Sequence, residues 1–86
     1  MAQSPRRVGS YTVAVAEELR AAVERLELTH VDISERTGIP RSTVGKILSG
    51  KRAMDVEEIA LLAAAVKMSV RKLMTAAEER QRSEQD

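Results

Sequence analysis

The chain has 86 residues, 14 Lys or Arg against 13 Asp or Glu, no cysteine and one aromatic, Tyr11. That allows one domain with a core of Leu, Ile, Val, Ala and Met, and it excludes a disulfide framework and any thiolate metal site. The longest unbroken apolar run, residues 59–66, is far short of the ~20 residues of a membrane span, and no signal-length apolar run follows Arg6 and Arg7, so a soluble cytoplasmic protein is expected.

Residues 1–11 read as a flexible basic arm rich in Ser, Pro, Arg and Gly. A first helix is predicted over 13–27. There Val15, Leu19, Ala22, Val23 and Leu26 recur at helical spacing, while Glu17, Glu18, Arg20, Glu24 and Arg25 face water. Thr29 is an N-cap for a second helix, and Asp32 meets its positive end. That helix ends near Thr37, and Gly38 supplies a left-handed residue that glycine reaches at little cost. Ile33 points into the core, and the small Ser34 lets the second and third helices cross closely.

Ile39 packs inward, and Pro40 opens a third helix over 41–49, because the first helical N–H has no partner anyway. Val44 and Ile47 form its inner face; Arg41, Ser42, Gly45 and Lys46 form the outer one. Ser49 and Gly50 end it, and a loop over 51–54 follows. Asp55 with Glu58 makes a capping-box start to a fourth helix, whose buried stripe is Val56, Ile59, Leu62, Ala63 and Val66. Ser69 caps a fifth, with Val70, Leu73 and Met74 turned inward. No apolar side chain follows Ala77, so 78–86 is expected to fray into a charged tail, leaving 12–77 as the folded domain.

The net charge of +1 hides its distribution. Between 36 and 52 stand Arg36, Arg41, Lys46, Lys51 and Arg52 with no acid, while 12–35 and 53–66 are acidic. A charge run is ordinarily a solvated helix face. This one is one-signed and coincides with two short helices joined by a glycine turn, the arrangement that presents side chains to the DNA major groove. Gly45 costs about 1 kcal/mol against alanine in a helix interior; either nothing selects against it or its bareness lets the helix seat close to DNA. Catalysis finds no support, since His30 has no nucleophile–base partner at a meaningful spacing. His30 with Asp32 lacks the further ligands a metal needs, and Glu57 and Glu58 read as first-turn helix charges.

Residues 15–74 resemble the Cro/C1-type helix-turn-helix family of phage repressors and bacterial regulators. The resemblance is carried by Gly-Ile-Pro-Arg-Ser-Thr-Val at 38–44, Lys-Ile-Leu-Ser-Gly-Lys-Arg at 46–52, Asp-Val-Glu-Glu-Ile at 55–59, and Met-Ser-Val at 68–70 with Leu73. It implies an all-α, compact five-helix domain without metal or cofactor. Pro40, Arg41, Ser42 and Lys46 would occupy base-reading positions. Thr29, His30, Thr43, Lys51 and Arg52 would hold phosphates, with His30 equally readable as a plain exposed residue. The implied partner is operator DNA, bound by a homodimer that can form on the DNA itself.

The chain also departs from the family pattern. Pro40 replaces a hydrogen-bonding cap, His30 a frequent glutamine and Val23 a frequent buried arginine. Glu27 and Lys67 stand where a helix-ending glycine is common. Val31, Leu48 and Leu61 are apolar where members are usually polar, which means scattered surface residues or a second contact surface. The expectation is a sequence-specific regulator, most simply a repressor on an inverted repeat with half-sites ~10 bp apart. The alternative is a protein-interaction module, such as the antitoxin of a toxin–antitoxin pair, that also binds DNA.

Overall fold

Most helix boundaries of this chain coincide with a capping interaction, and those interactions explain the boundaries better than hydrophobic spacing does. The computed structural model describes residues 8–85. It contains α1 (Ser10–Arg25), α2 (His30–Thr37), α3 (Arg41–Leu48), α4 (Val56–Ala65) and α5 (Val70–Gln85), with no strand among the described residues. The all-α, five-helix fold read from the sequence is the fold found. No helix among the described residues is long and apolar enough to cross a membrane.

α2 and α4 open with reciprocal capping boxes. Thr29 Oγ1 accepts from the Asp32 N–H at 3.1 Å while Asp32 Oδ2 accepts from the Thr29 N–H at 2.8 Å. Asp55 Oδ1 accepts from the Glu58 N–H at 2.7 Å while Glu58 Oε1 accepts from the Asp55 N–H at 3.0 Å. Each pair satisfies two donors that a helix start otherwise leaves open. The Thr29 N–H and hydroxyl hold the Asp32 carboxyl below its ordinary 3.8. Ser69 Oγ caps α5 by accepting from the Lys72 N–H at 3.0 Å.

Three helices end in the same backbone motif, a left-handed residue followed by a bond back to the fifth residue before it. After α1, Glu27 (φ 54°) precedes the Leu28 N–H bond to the Val23 carbonyl at 3.0 Å. After α3, Gly50 (φ 77°) precedes the Lys51 bond to Lys46 at 3.0 Å. After α4, Lys67 (φ 59°) precedes the Met68 bond to Ala63 at 2.9 Å. The missing glycines at 27 and 67 therefore left the geometry unchanged and added strain at two residues that carry a Cβ.

The core is a single cluster in which Leu19, Ile33, Val44, Ile47, Leu62 and Leu73 are the largest fully buried side chains. α1 packs along α5 and α3, while α2 packs against α3 and α4. Three burial expectations are corrected. Val56 is 79% exposed, because burial falls along α4 from Leu62 through half-buried Ile59 to the first turn, which overhangs the core. Val70, also the first residue of its helix, is exposed, leaving Leu73 and Ala77 buried and Met74 half-buried against the core as the inward residues of α5. Leu48 is buried at the end of α3, so only Val31 and Leu61 of the apolar departures remain exposed.

Both terminal expectations also change. α1 begins at Ser10, after an extended Gly9 (φ −71°, ψ 159°), so residues 10 and 11 of the expected arm are helical; residues 1–7 of that arm lie outside the described residues. Residues 78–85 of the expected frayed tail are instead the second half of α5, which continues to Gln85, and residue 86 lies outside the described residues. Arg80 Nε donates to Glu18 Oε2 at 2.7 Å and its Nη1 to Glu17 Oε2 at 3.3 Å. Gln81 Nε2 donates to Ser10 Oγ at 2.7 Å. Those bonds tie α5 to α1 without any apolar side chain, which is why hydropathy alone misses them.

Replacing Lys67 by glycine should raise stability by roughly 0.5–1 kcal/mol, since a left-handed residue loses its Cβ penalty. In a domain of this size that is a rise of several degrees in Tm, readable by thermal circular dichroism, and an unchanged Tm would remove the strain argument. Deleting residues 79–86 should cost about 1 kcal/mol, a modest sum because the Arg80 cluster is partly solvent-screened. The deficit should shrink in ~1 M salt if the charges carry it.

Candidate nucleic-acid interface

α2 and α3 meet across Gly38, whose φ of 79° confirms the left-handed turn. Side chains then satisfy the turn's backbone. Ser34 Oγ donates to the Ile39 carbonyl at 2.6 Å. Thr37 Oγ1 donates to the Ile33 carbonyl at 2.7 Å and accepts from the Ile39 N–H at 3.1 Å. Ser34 thus does more than leave room, and with Ile39 buried the junction is fixed by both hydrogen bonds and packing.

α3 is seated by Val44, Ile47 and Leu48, all buried. Its other side presents Pro40, Arg41, Ser42 and Lys46, all exposed. Pro40 stands at the N-cap and offers no side-chain hydrogen bond, so the first N–H groups of α3 carry no cap. Thr29, His30 and Lys51 are exposed, while Thr43 and Arg52 are half-buried. The Thr29 hydroxyl oxygen accepts from the Asp32 N–H in the capping box.

His30 links the two helices of the motif. Its Nδ1 lies 3.7 Å from where a Cβ on Gly45 would stand, an ordinary van der Waals separation. The start of α2 and the middle of α3 therefore form one surface. Alanine fits at Gly45 without displacing the ring, so no contact within the chain requires glycine there.

The five cations from 36 to 52 differ in what they already hold. Arg36 Nη1 donates to the Ala65 carbonyl at 2.9 Å and so caps the C-terminal end of α4. Arg52 Nη1 donates to Glu58 Oε1 at 3.0 Å and to the Ala53 carbonyl at 3.2 Å. The Arg52 guanidinium, and after it the Asp55 N–H, hold the Glu58 carboxyl below its ordinary 4.5. Arg41, Lys46 and Lys51 make no ion pair among the described residues.

One residue that matters here went unread in the sequence. Arg20, expected simply to face water, extends Nη1 to the Leu48 carbonyl at 2.8 Å and caps the last turn of α3 from α1. Its partner lies 28 residues away, beyond the reach of helical periodicity. Among the described residues no group of three or more His, Asp or Glu side chains is gathered as a metal site would need.

A family model described as a helix-turn-helix domain matches residues 14–76. The crystal structure of the restriction-modification controller protein C.AhdI from Aeromonas hydrophila is similar, with a TM-score of 0.67 and 27% identity. The similarity covers 72% of this chain and 94% of that one. No curated protein gives a match. The family match contains α2, α3 and α4 whole, with most of α1 and the first turns of α5, and the chain belongs to the helix-turn-helix domain family, whose class of function is DNA-binding transcription regulation.

Proposed function

We propose that the chain is a sequence-specific reader of double-stranded DNA that acts as a repressor, occupying an inverted-repeat operator as a homodimer. The observation that carries this reading is the exposed side of α3, where Arg41, Ser42 and Lys46 stand clear of the core and the two cations have no internal counter-ion among the described residues. Cations left unpaired on a rigid helix are wholly available to DNA, whereas a cation already paired offers only the donors its partner leaves free. The likeness to a restriction-modification controller protein supports a regulatory role.

Arg41 is in the first helical turn and can donate two parallel hydrogen bonds to guanine O6 and N7. Lys46 and Ser42 read neighbouring base edges, with Pro40 making apolar contact. Thr29, His30, Thr43, Lys51 and Arg52 take phosphates and so set register without sequence preference. One such helix covers only a few base pairs, so two protomers with half-sites ~10 bp apart are needed for adequate affinity. Exposed apolar side chains at Val56, Leu61 and Val70 offer surface for contact between protomers. They equally suit a different protein, as in the antitoxin reading. A protein that copurifies and competes with DNA would favour that reading.

Selection from a random duplex library at ~150 mM salt, where non-specific binding is weak, should recover an inverted repeat with guanine in each half-site. Failure to enrich any sequence would overturn the reading. On the selected duplex, Arg41→Ala should cost about 1–3 kcal/mol and relax preference at one base pair per half-site. Equal loss on all sequences would reduce Arg41 to a phosphate contact. Lys51→Ala should weaken every duplex alike and make the log–log salt slope shallower by about 2 per dimer; a changed base preference would contradict its assignment.

A further inference from the structure

Arg52 reaches back across its loop to the first turn of α4. Both of its hydrogen bonds, to Glu58 Oε1 at 3.0 Å and to the Ala53 carbonyl at 3.2 Å, use the same terminal nitrogen, Nη1. Nε and Nη2 have no hydrogen-bond or ion-pair partner among the described residues, and the side chain is 41% exposed. Glu58 is itself immobilised. Its Oε1 takes the Asp55 N–H at 3.0 Å, and its own N–H is given to Asp55 Oδ1 at 2.7 Å. A carboxylate locked in a capping box is therefore the fixed post that holds a solvent-facing guanidinium by one nitrogen.

We propose that Glu58 is a positioning residue for DNA binding, holding Arg52 so that its unused edge, Nε and Nη2, meets a backbone phosphate. The proposal rests on the DNA-binding reading above and deepens it, since it assigns a favourable role to an acid beside a polyanion. A guanidinium presents five donors in a rigid planar fork, enough to engage a carboxylate and a phosphate at once. Fixing a free arginine on binding costs about two- to tenfold in affinity, and Glu58 has already fixed this one in the folded protein.

Charge alone gives the opposite sign. Removing a carboxylate near DNA lessens repulsion, so Coulomb's law by itself has Glu58→Gln bind more tightly. Positioning has it bind more weakly. Glutamine keeps the Oε1 acceptor that the capping box requires, so the fold is preserved, as the melting temperature checks. It turns the ion pair with Arg52 into a neutral hydrogen bond roughly half as strong, which loosens the guanidinium.

The test measures the affinity of the full chain for its selected duplex by fluorescence anisotropy, for wild type, Glu58→Gln, Arg52→Ala and the double variant. The expected result is a loss of about two- to tenfold per protomer for Glu58→Gln, and no further loss from it in the Arg52→Ala background. Unchanged or tighter binding by Glu58→Gln, or the same loss in both backgrounds, would reduce Glu58 to a helix cap and overturn the proposal. Arg52→Lys is a second route that leaves the α4 cap intact. Lysine keeps the charge but lacks the fork, so it should bind more weakly than wild type, and full retention would also overturn the proposal. If the wild type itself binds no duplex, the DNA reading fails first and takes this inference with it. Wild-type binding with the wrong sign for Glu58→Gln removes this inference alone.

Discussion

The junction between α2 and α3 is the constraint on which the rest depends. A helix that must show one side to a ligand cannot be buried on all sides, so its direction has to be set from beneath and from its ends. Beneath, Val44, Ile47 and Leu48 are buried against the cluster that contains Ile33 and Leu19. At the near end, left-handed Gly38 and the hydroxyls of Ser34 and Thr37 satisfy the backbone of the turn. At the far end, the Arg20 guanidinium holds the Leu48 carbonyl. The positions of Arg41, Ser42 and Lys46 all follow from these restraints.

Several cations of this domain are divided between two kinds of work. Arg20, Arg36 and Arg80 each join elements far apart in sequence, α1 to α3, α2 to α4 and α5 to α1. They end at helix carbonyls or at carboxylates, where a planar donor group gains charge-assisted hydrogen bonds. Arg41, Lys46 and Lys51 have no such partner among the described residues. In the sequence both kinds are simply cations, so a count of charge overstates what is available to DNA. Arg36 belongs to the first kind although it opens the basic run. Arg52 stands between the two, held by Glu58 through one nitrogen with the other two uncommitted.

What could be read in advance was local. Thr29 with Asp32, Asp55 with Glu58, and Gly38 carry their physics within a few residues, and each appears as read. The placement of Arg41, Ser42 and Lys46 on the exposed side of α3 was legible for the same reason, since inner and outer faces follow from helical spacing. What could not be read was remote or terminal. The bonds from Arg80 to Glu17 and Glu18 span more than 60 residues of sequence, and no period announces them. Val56 and Val70 obey the helical period of their stripes, yet they stand at first turns that have left the core. A hydrophobic period shows which side of a helix faces inward but not how far along the helix the core extends.

α3 itself is a poor helix when considered alone. It has eight residues, Gly45 in its interior, β-branched Thr43, Val44 and Ile47, and no side chain to cap its start. An isolated segment of that length and composition would not hold a helix in water. Its order comes from the tertiary structure, through buried Val44 and Ile47 beneath it and Arg20 at its end. Reading DNA asks for small or polar residues on the exposed side, where strong helix formers would otherwise stand, so stability has to come from the buried side and from the neighbouring helices. The two strained residues, Glu27 and Lys67, end the helices before and after the motif, α1 and α4. They hold left-handed conformations that glycine would adopt more cheaply, and the rest of the core must offset that strain as well as seat α3.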